Sequence, residues 1–456
     1  MRKCMRIPLV ILLALVMLFS IMGCASGTKE NNTSATTQAT GSNPGGGDAA
    51  AKPGAAGPIN LRLMFPLGQW TDNFDALITA YKEKHPEIGS IEATFPSSDK
   101  YNDLLKSSLS AGQLPDLISL SYGILNQEWF QYCADLSTDC EAYNLLTKDQ
   151  IALGTTDQGM IIMPIYVEGT GIMYNMNLLK KAGWDHTPQT RDELAKLCED
   201  LTKAGIKPFM HQWSETYLNL FNWVGPTWLG NKEGQGKEFL SNMLAGKDID
   251  LAKDKEWNDF MDTYAILIQY AQEGATATDK WTCRNAFFLE ECAMLVGEGS
   301  WETPNIQSKN PALLDYVKQD VLPCSNVASE NRLQIQTIAA SATKSDDPAR
   351  VKAAKEFLTF IVSSEEARVW HQERMGSPTA IASLKLSDKL PKLATDVVNL
   401  MKEGRASESM YEYMPVEIVP DLQEAWARFV AGDLKRDAFA QRYTEIFKDY
   451  AAGKYN

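Results

Sequence analysis

An α/β fold is predicted by three observations: strand–helix alternation from residue 61 to residue 120, a helix-rich remainder after Pro188, and a length of 456 residues. That length exceeds one ordinary core and calls for two or three globular units. A hydrophobic content of 44%, with 9% aromatics, is enough to build those cores and excludes wholesale disorder.

The alternation opens with Leu61-Arg62-Leu63-Met64-Phe65, a strand ended by Pro66. A helix follows, because Phe74, Leu77, Ile78 and Tyr81 fall at i, i+3, i+4 and i+7. His85-Pro86 stops it, and Ile91 to Phe95 is a second strand. Tyr101, Leu104, Leu105, Ser108 and Leu109 form the next helix face, with Gly112 as its C-terminal cap and Leu117 to Leu120 as a third strand. Such alternation predicts a mostly parallel sheet covered on both faces. Ligands in such sheets bind beyond the carboxyl ends of the strands, where Trp70 and Tyr122 fall. Further on, Thr190 and Glu193 form a capping box for a helix reaching Ala204. Other helices are predicted near Glu256 to Glu273, Lys352 to Val362 and Leu422 to Tyr450. No internal repeat is present.

The first 24 residues set a location. Arg2, Lys3 and Arg6 precede an apolar run from Ile7 to Met22, about 16 residues, short of the roughly 20 that span a bilayer. This is the pattern of a secretory signal peptide over residues 1–23. Ile21-Met22-Gly23-Cys24 resembles the lipobox of bacterial lipoproteins, which implies lipidation of Cys24. Two or three acyl chains anchor stably where one does not. Residues 24–58 are rich in Ser, Thr, Asn, Gly and Ala and read as a flexible tether. Removing the three leader cations from the formal net charge of −14 leaves −17, which disfavours nucleic acid as a partner. With Cys4 and Cys24 set aside, Cys133, Cys140, Cys198, Cys283, Cys292 and Cys324 could pair outside a cell. Cys133 and Cys140 are nearest in sequence, whereas Cys198 shares a helix face with Leu194, Leu197 and Leu201 and reads as a buried thiol. No CxxC spacing occurs, so no zinc site is expected.

Familiar catalytic devices are absent: no P-loop, no Rossmann fingerprint, no HExxH and no GxSxG. The four histidines, His85, His186, His211 and His371, lack metal-ligand spacing. No enzyme activity and no cofactor are expected.

A different set of landmarks is present. Pro164-Ile165-Tyr166-Val167-Glu168-Gly169-Thr170-Gly171-Ile172-Met173-Tyr174-Asn175 leads into Leu178-Leu179 and Lys181-Ala182-Gly183. Leu114-Pro115-Asp116 comes before it; Gly205-Ile206-Lys207-Pro208, Ala293-Met294, Gly299-Ser300-Trp301 and Gly376-Ser377-Pro378 come after. In order and spacing this series resembles the family of extracellular solute-binding proteins that includes maltose-binding protein. The resemblance spans residues 59 to about 380. It implies a two-lobed periplasmic-binding-protein-like fold of type II, with mixed sheets flanked by helices and a hinge of crossing segments. The crossings are expected near Tyr166, between Asp320 and Cys324, and near Pro378. The N-terminal lobe is then 59–166 plus 324–378, and the C-terminal lobe 167–323 plus 379–456.

The implied function is the substrate-binding lipoprotein of an ABC importer, a monomer held at the outer face of the cell membrane. It would capture a sugar or oligosaccharide between its lobes and deliver it to permease subunits. The alternatives are a secreted glycan hydrolase, or the same fold binding a polyol, a glycerol phosphate or a peptide. A sugar presents hydroxyl edges and flat C–H faces, so carboxylates and amides paired with aromatic plates suit it. Trp301 matches the family position whose indole stacks on a sugar, and Glu168 the hinge carboxylate. Trp213 and His211 match another contact segment more loosely. Trp70, Asp116 and Tyr122 complete the set, Asp116 competing with a purely turn-fixing role. Trp257 and Trp370 lie within helices and read as packing residues.

Overall fold

The computed structural model describes residues 57–66, 74–98, 100–215 and 224–455. The leader, Cys24, almost all of the tether, Trp70 and Trp223 lie outside the described residues.

Strand β1 (Ile59–Met64) lies parallel between β2 (Ile88–Thr94) and β3 (Leu117–Leu120). Leu61 and Leu63 meet the helix Phe74–Lys84 through Phe74, Leu77 and Tyr81. Met64 faces the other way, toward Tyr101 and Leu105 of the helix Tyr101–Ser110, so the two helices cover opposite faces. Gly112, at φ 66°, takes the left-handed conformation that closes this second helix.

A two-residue hairpin, β4 (Thr155–Thr156) and β5 (Gly159–Met160), leads into β6 (Met163–Asn175). All 13 residues of β6 are buried, and at about 3.3 Å per residue it extends roughly 40 Å. Its first half pairs antiparallel with β9 (Leu333–Ala342), and its second half with β7 (Met294–Glu298) and β8 (Val317–Asp320). β10 (Ala406–Glu408) and β3 both pair with the remaining edge of β9, leaving residues 336–338 between them without a partner strand there. The expected mostly parallel sheet is therefore parallel only over β1–β3 and where β10 meets β9. Long-range returns such as β9 make the whole mixed.

Two main apolar cores flank this sheet. One gathers Leu63, Phe74, Tyr81, Tyr166, Phe357 and Trp370; the other gathers Tyr174, Trp228, Trp257, Tyr264, Trp426 and Tyr443. A smaller cluster of Val167, Val321, Leu333, Ile335, Val397 and Leu400 lies where the chain passes from one to the other. β6 runs from one core to the other. Leu322 and Cys324 still pack in the second core, so the return is made along β9, whose Ile338 and Ala340 lie in the first. Ile381, beyond the expected Pro378, also still packs in the first. The result is a two-lobed α/β molecule. Its helices follow the sequence patterns closely: Arg191–Lys203, Lys255–Gln269, Pro348–Ser363, Val419–Val430 and Arg436–Ala451. Thr190 accepts from the Glu193 amide at 3.2 Å, but Glu193 returns to the Gln189 amide at 2.6 Å, one residue upstream of the expected box.

All six cysteines of the described residues are buried free thiols. The Cys133–Cys140 bridge is absent: Cys133 donates to the Trp129 carbonyl at 3.4 Å, and Cys140 lies against the Thr359 hydroxyl at 3.5 Å. Among the described residues no helix is long and apolar enough to cross a membrane, and no cluster of metal-ligating side chains occurs.

Candidate functional site

The crossing strand organises the site. Glu168 sits on β6 with Gln336 of β9 opposite it in register, and it is 6% exposed. One residue on, the Gly169 carbonyl accepts from the Gln319 amide side chain and abuts Gly299. A Cβ at Gly299 would lie 2.2 Å from that carbonyl and 2.5 Å from the Trp301 ring. Only glycine lets the indole and the crossing strand approach this closely. Trp301 and Glu168 thus belong to one neighbourhood, although they are 133 positions apart in sequence.

Trp301 is held from behind. Its Nε1 donates to Glu298 Oε2 at 3.1 Å, and Glu298, on β7, is fully buried. Arg284 of the helix Lys280–Phe288 meets the same carboxylate in a fork, Nε to Oε1 and Nη2 to Oε2, both at 2.9 Å. Gln212 adds a donor to Oε1 at 2.8 Å. Arg284 also lies 3.2 Å from Glu302, whose carboxyl is raised by burial against the opposing pull of Arg284. Planar bidentate pairing fixes orientation as well as charge, so the indole cannot swing freely.

The remaining expected residues separate. Tyr122 follows β3, faces Glu412 and Glu408, and lies near the gap at residues 336–338 of β9. Asp116 precedes the other end of β3, and its carboxylate is occupied. It accepts from the Arg62 amide at 2.7 Å and pairs with Arg350 at 2.6 Å, which is the turn-fixing arrangement. His211 and Trp213 stack on each other at 4.5 Å in an aromatic series running from Phe209 to Tyr264 in the second core. Burial pushes the His211 imidazole down to about 3, so it is neutral. From that segment it is Gln212, between them, that reaches the Trp301 neighbourhood. Trp228, Trp257 and Trp370 are packing residues. A hollow of about 410 Å³ beside Asp192, Lys196 and Tyr270 contains none of the crossing-strand residues.

Sequence reasoning missed Gln212, Arg284, Glu298, Gln336 and Glu412. The only local signal was the position of Glu298 just before Gly299-Ser300-Trp301. Glu412 is fully buried, and Gln336 offers its carboxyl only a poorly aligned hydrogen bond. Burial pushes its carboxyl up to about 8, Glu408 adds repulsion, and Gln336 and Lys237 offset part of it. The folded state therefore binds this proton more tightly than an unfolded glutamate of pKa about 4.3. Its stabilising contribution is complete below that value and is lost as pH rises through about 8. Urea unfolding at pH 6 and pH 8 checks this: Glu412→Gln should become more stable relative to the unmutated protein as pH rises. A constant difference would mean Glu412 is hydrated or paired.

Two lobes around a long crossing strand, with an indole and carboxylates beside that strand, define a two-lobed solute-binding architecture. A profile of the bacterial extracellular solute-binding proteins matches residues 68–368. The chain belongs to that family. The "Multiple sugar-binding protein" of Streptococcus mutans is 21% identical over 322 residues, covering 69% of this chain and 73% of its own. "SBP RafE in complex with raffinose" superposes with a TM-score of 0.72 at 18% identity, covering 86% of this chain and 100% of that one. A "Chitin oligosaccharide binding protein" gives 0.71 at 17%, covering 87% and 100%. The family and these relatives are binding proteins.

Proposed function

We propose that the protein captures a sugar or oligosaccharide between its lobes outside the cell and hands it to the permease of an ABC importer, without transforming it. The observation that carries this reading is the Trp301 indole, braced by Glu298 and set beside the crossing strand that bears Glu168. An indole plate removes the C–H face of a sugar ring from water, and a carboxylate accepts its hydroxyls. The raffinose and multiple-sugar relatives support that chemistry. Cys24 serves as the lipid attachment, and residues 25–58 as a leash to the membrane.

The crossing segments make lobe rotation the way to enclose ligand. A panel of oligosaccharides tested by thermal shift checks the binding, because a ligand at 100 times its Kd adds about 2.7 kcal/mol. The bound sugar should return uncut, and X-ray scattering should show a smaller radius of gyration in its presence. Cleaved products would favour a hydrolase. Tight binding at constant radius would exclude closure.

A further inference from the structure

Residues two apart on a strand share a face of the sheet. On one face of β6 and β9, Tyr166 and Ile338 stand opposite each other and pack in the first core. Further along that face Thr170 stands opposite Gln334. There a Cβ at Gly230, two residues past Trp228 of the second core, would lie 2.3 Å from the Gln334 side chain. Glu168 and Gln336 are the pair between these two, so they sit between the lobes. At this point β9 opens: Gln336 and Thr337 are its only partly exposed residues, in the gap between β3 and β10.

Glu412 borders the opening. It lies in the helical turn Met410–Tyr413, whose Met410 and Tyr411 pack in the second core. The chain leaving β3 reaches the same turn, where the Leu125 amide, three residues past Tyr122, donates to the Glu412 carbonyl at 3.2 Å. The Glu412 carboxyl meets the Gln336 amide only in poor alignment. Other nearby donors are taken by Glu408, which accepts from the Tyr413 hydroxyl and pairs with Lys237 at 2.6 Å. A buried carboxyl left in this state is costly until a donor arrives.

We propose that Glu412 is a ligand-contact residue, accepting hydroxyl hydrogen bonds from a sugar unit seated at Gln336 between Tyr122 and Tyr413. This rests on the sugar-binding reading and adds to Glu168 a second carboxyl that reads hydroxyls, supplied by the other lobe. A unit with two neighbouring free hydroxyls satisfies both oxygens of Glu412. Such bonds favour the charged carboxylate, so sugar binding draws the carboxyl down from about 8 and a proton leaves. Affinity therefore rises with pH and levels off above about 8. Glu408 and Lys237 neutralise each other, and burial keeps the Tyr122 and Tyr413 hydroxyls protonated, so the proton is not theirs.

Calorimetry with raffinose, maltotetraose and chitotetraose at pH 7, in phosphate and in Tris, tests this, because the two buffers differ in ionisation heat. The sugar that binds should release protons, and should bind about tenfold tighter at pH 9 than at pH 6. Glu412→Gln should lose that release, flatten the pH profile and bind about tenfold more weakly at pH 9. Unchanged affinity in Glu412→Gln, or proton release that persists in it, would overturn the contact while leaving sugar binding intact. Binding of none of the three sugars by the unmutated protein would overturn both.

Discussion

Replacing Arg284 by alanine is expected to lower the free energy of unfolding by about 3–5 kcal/mol, the range seen when one partner of a buried ion pair is removed. Glu298 is fully buried and loses both prongs of the fork, and Glu302 loses its nearest cation. Water cannot replace those donors, so each carboxylate must be dehydrated unpaired or take up a proton. Arg284→Lys should recover only part of the loss, because an ammonium cannot reproduce the planar two-point contact. Urea unfolding of the three proteins measures it. A loss below about 1 kcal/mol, typical of exposed pairs, would mean that water reaches this cluster. A buried triad of this kind says little about net stability relative to an apolar one. Its value here is orientation of the Trp301 indole.

Trp301→Ala and Glu168→Gln are each expected to weaken sugar binding by about ten- to a hundredfold. A stacked contact of order 100 Å² at roughly 25 cal/mol per Å² is worth roughly 2–3 kcal/mol, and it requires a conformation in which more of the indole is open than the 6% seen here. Loss of a carboxylate that accepts hydroxyl hydrogen bonds costs about 1.5–3 kcal/mol. Each 1.4 kcal/mol is about a factor of ten in Kd. Trp301 is only 6% exposed, so its truncation also weakens the empty protein. Trp301→Phe separates the two effects, since it keeps a ring in place while losing the donor to Glu298. Calorimetry reads the affinities, and urea unfolding of the ligand-free variants reads stability. Unchanged sugar affinity in Trp301→Ala and Glu168→Gln, with lowered stability, would make both residues part of the hinge core and not of the site.

Much of this molecule was legible from local patterns. The i, i+3, i+4, i+7 spacing located the helix at Phe74 to within its observed start, and Thr190 marked the opening of the next lobe's first long helix. These signals are local because a helix satisfies its own backbone and buries one stripe. The landmark run from Pro164 to Asn175 marked the crossing strand through its resemblance to the solute-binding family and not through an apolar pattern, since Glu168-Gly169-Thr170-Gly171 interrupts it. What sequence alone determined is the order of elements and the alternation that makes an α/β lobe. What only the tertiary structure decided is which side chains share a site. Asp116 and Arg350 are 234 positions apart and Gln212 and Glu298 are 86 apart, yet both pairs are in contact. Sequence spacing holds no record of such distances. Strand pairing and the third dimension of the core set them, and these turned Asp116 into a structural anchor, took His211 and Trp213 into the core, and placed Arg284 behind Trp301.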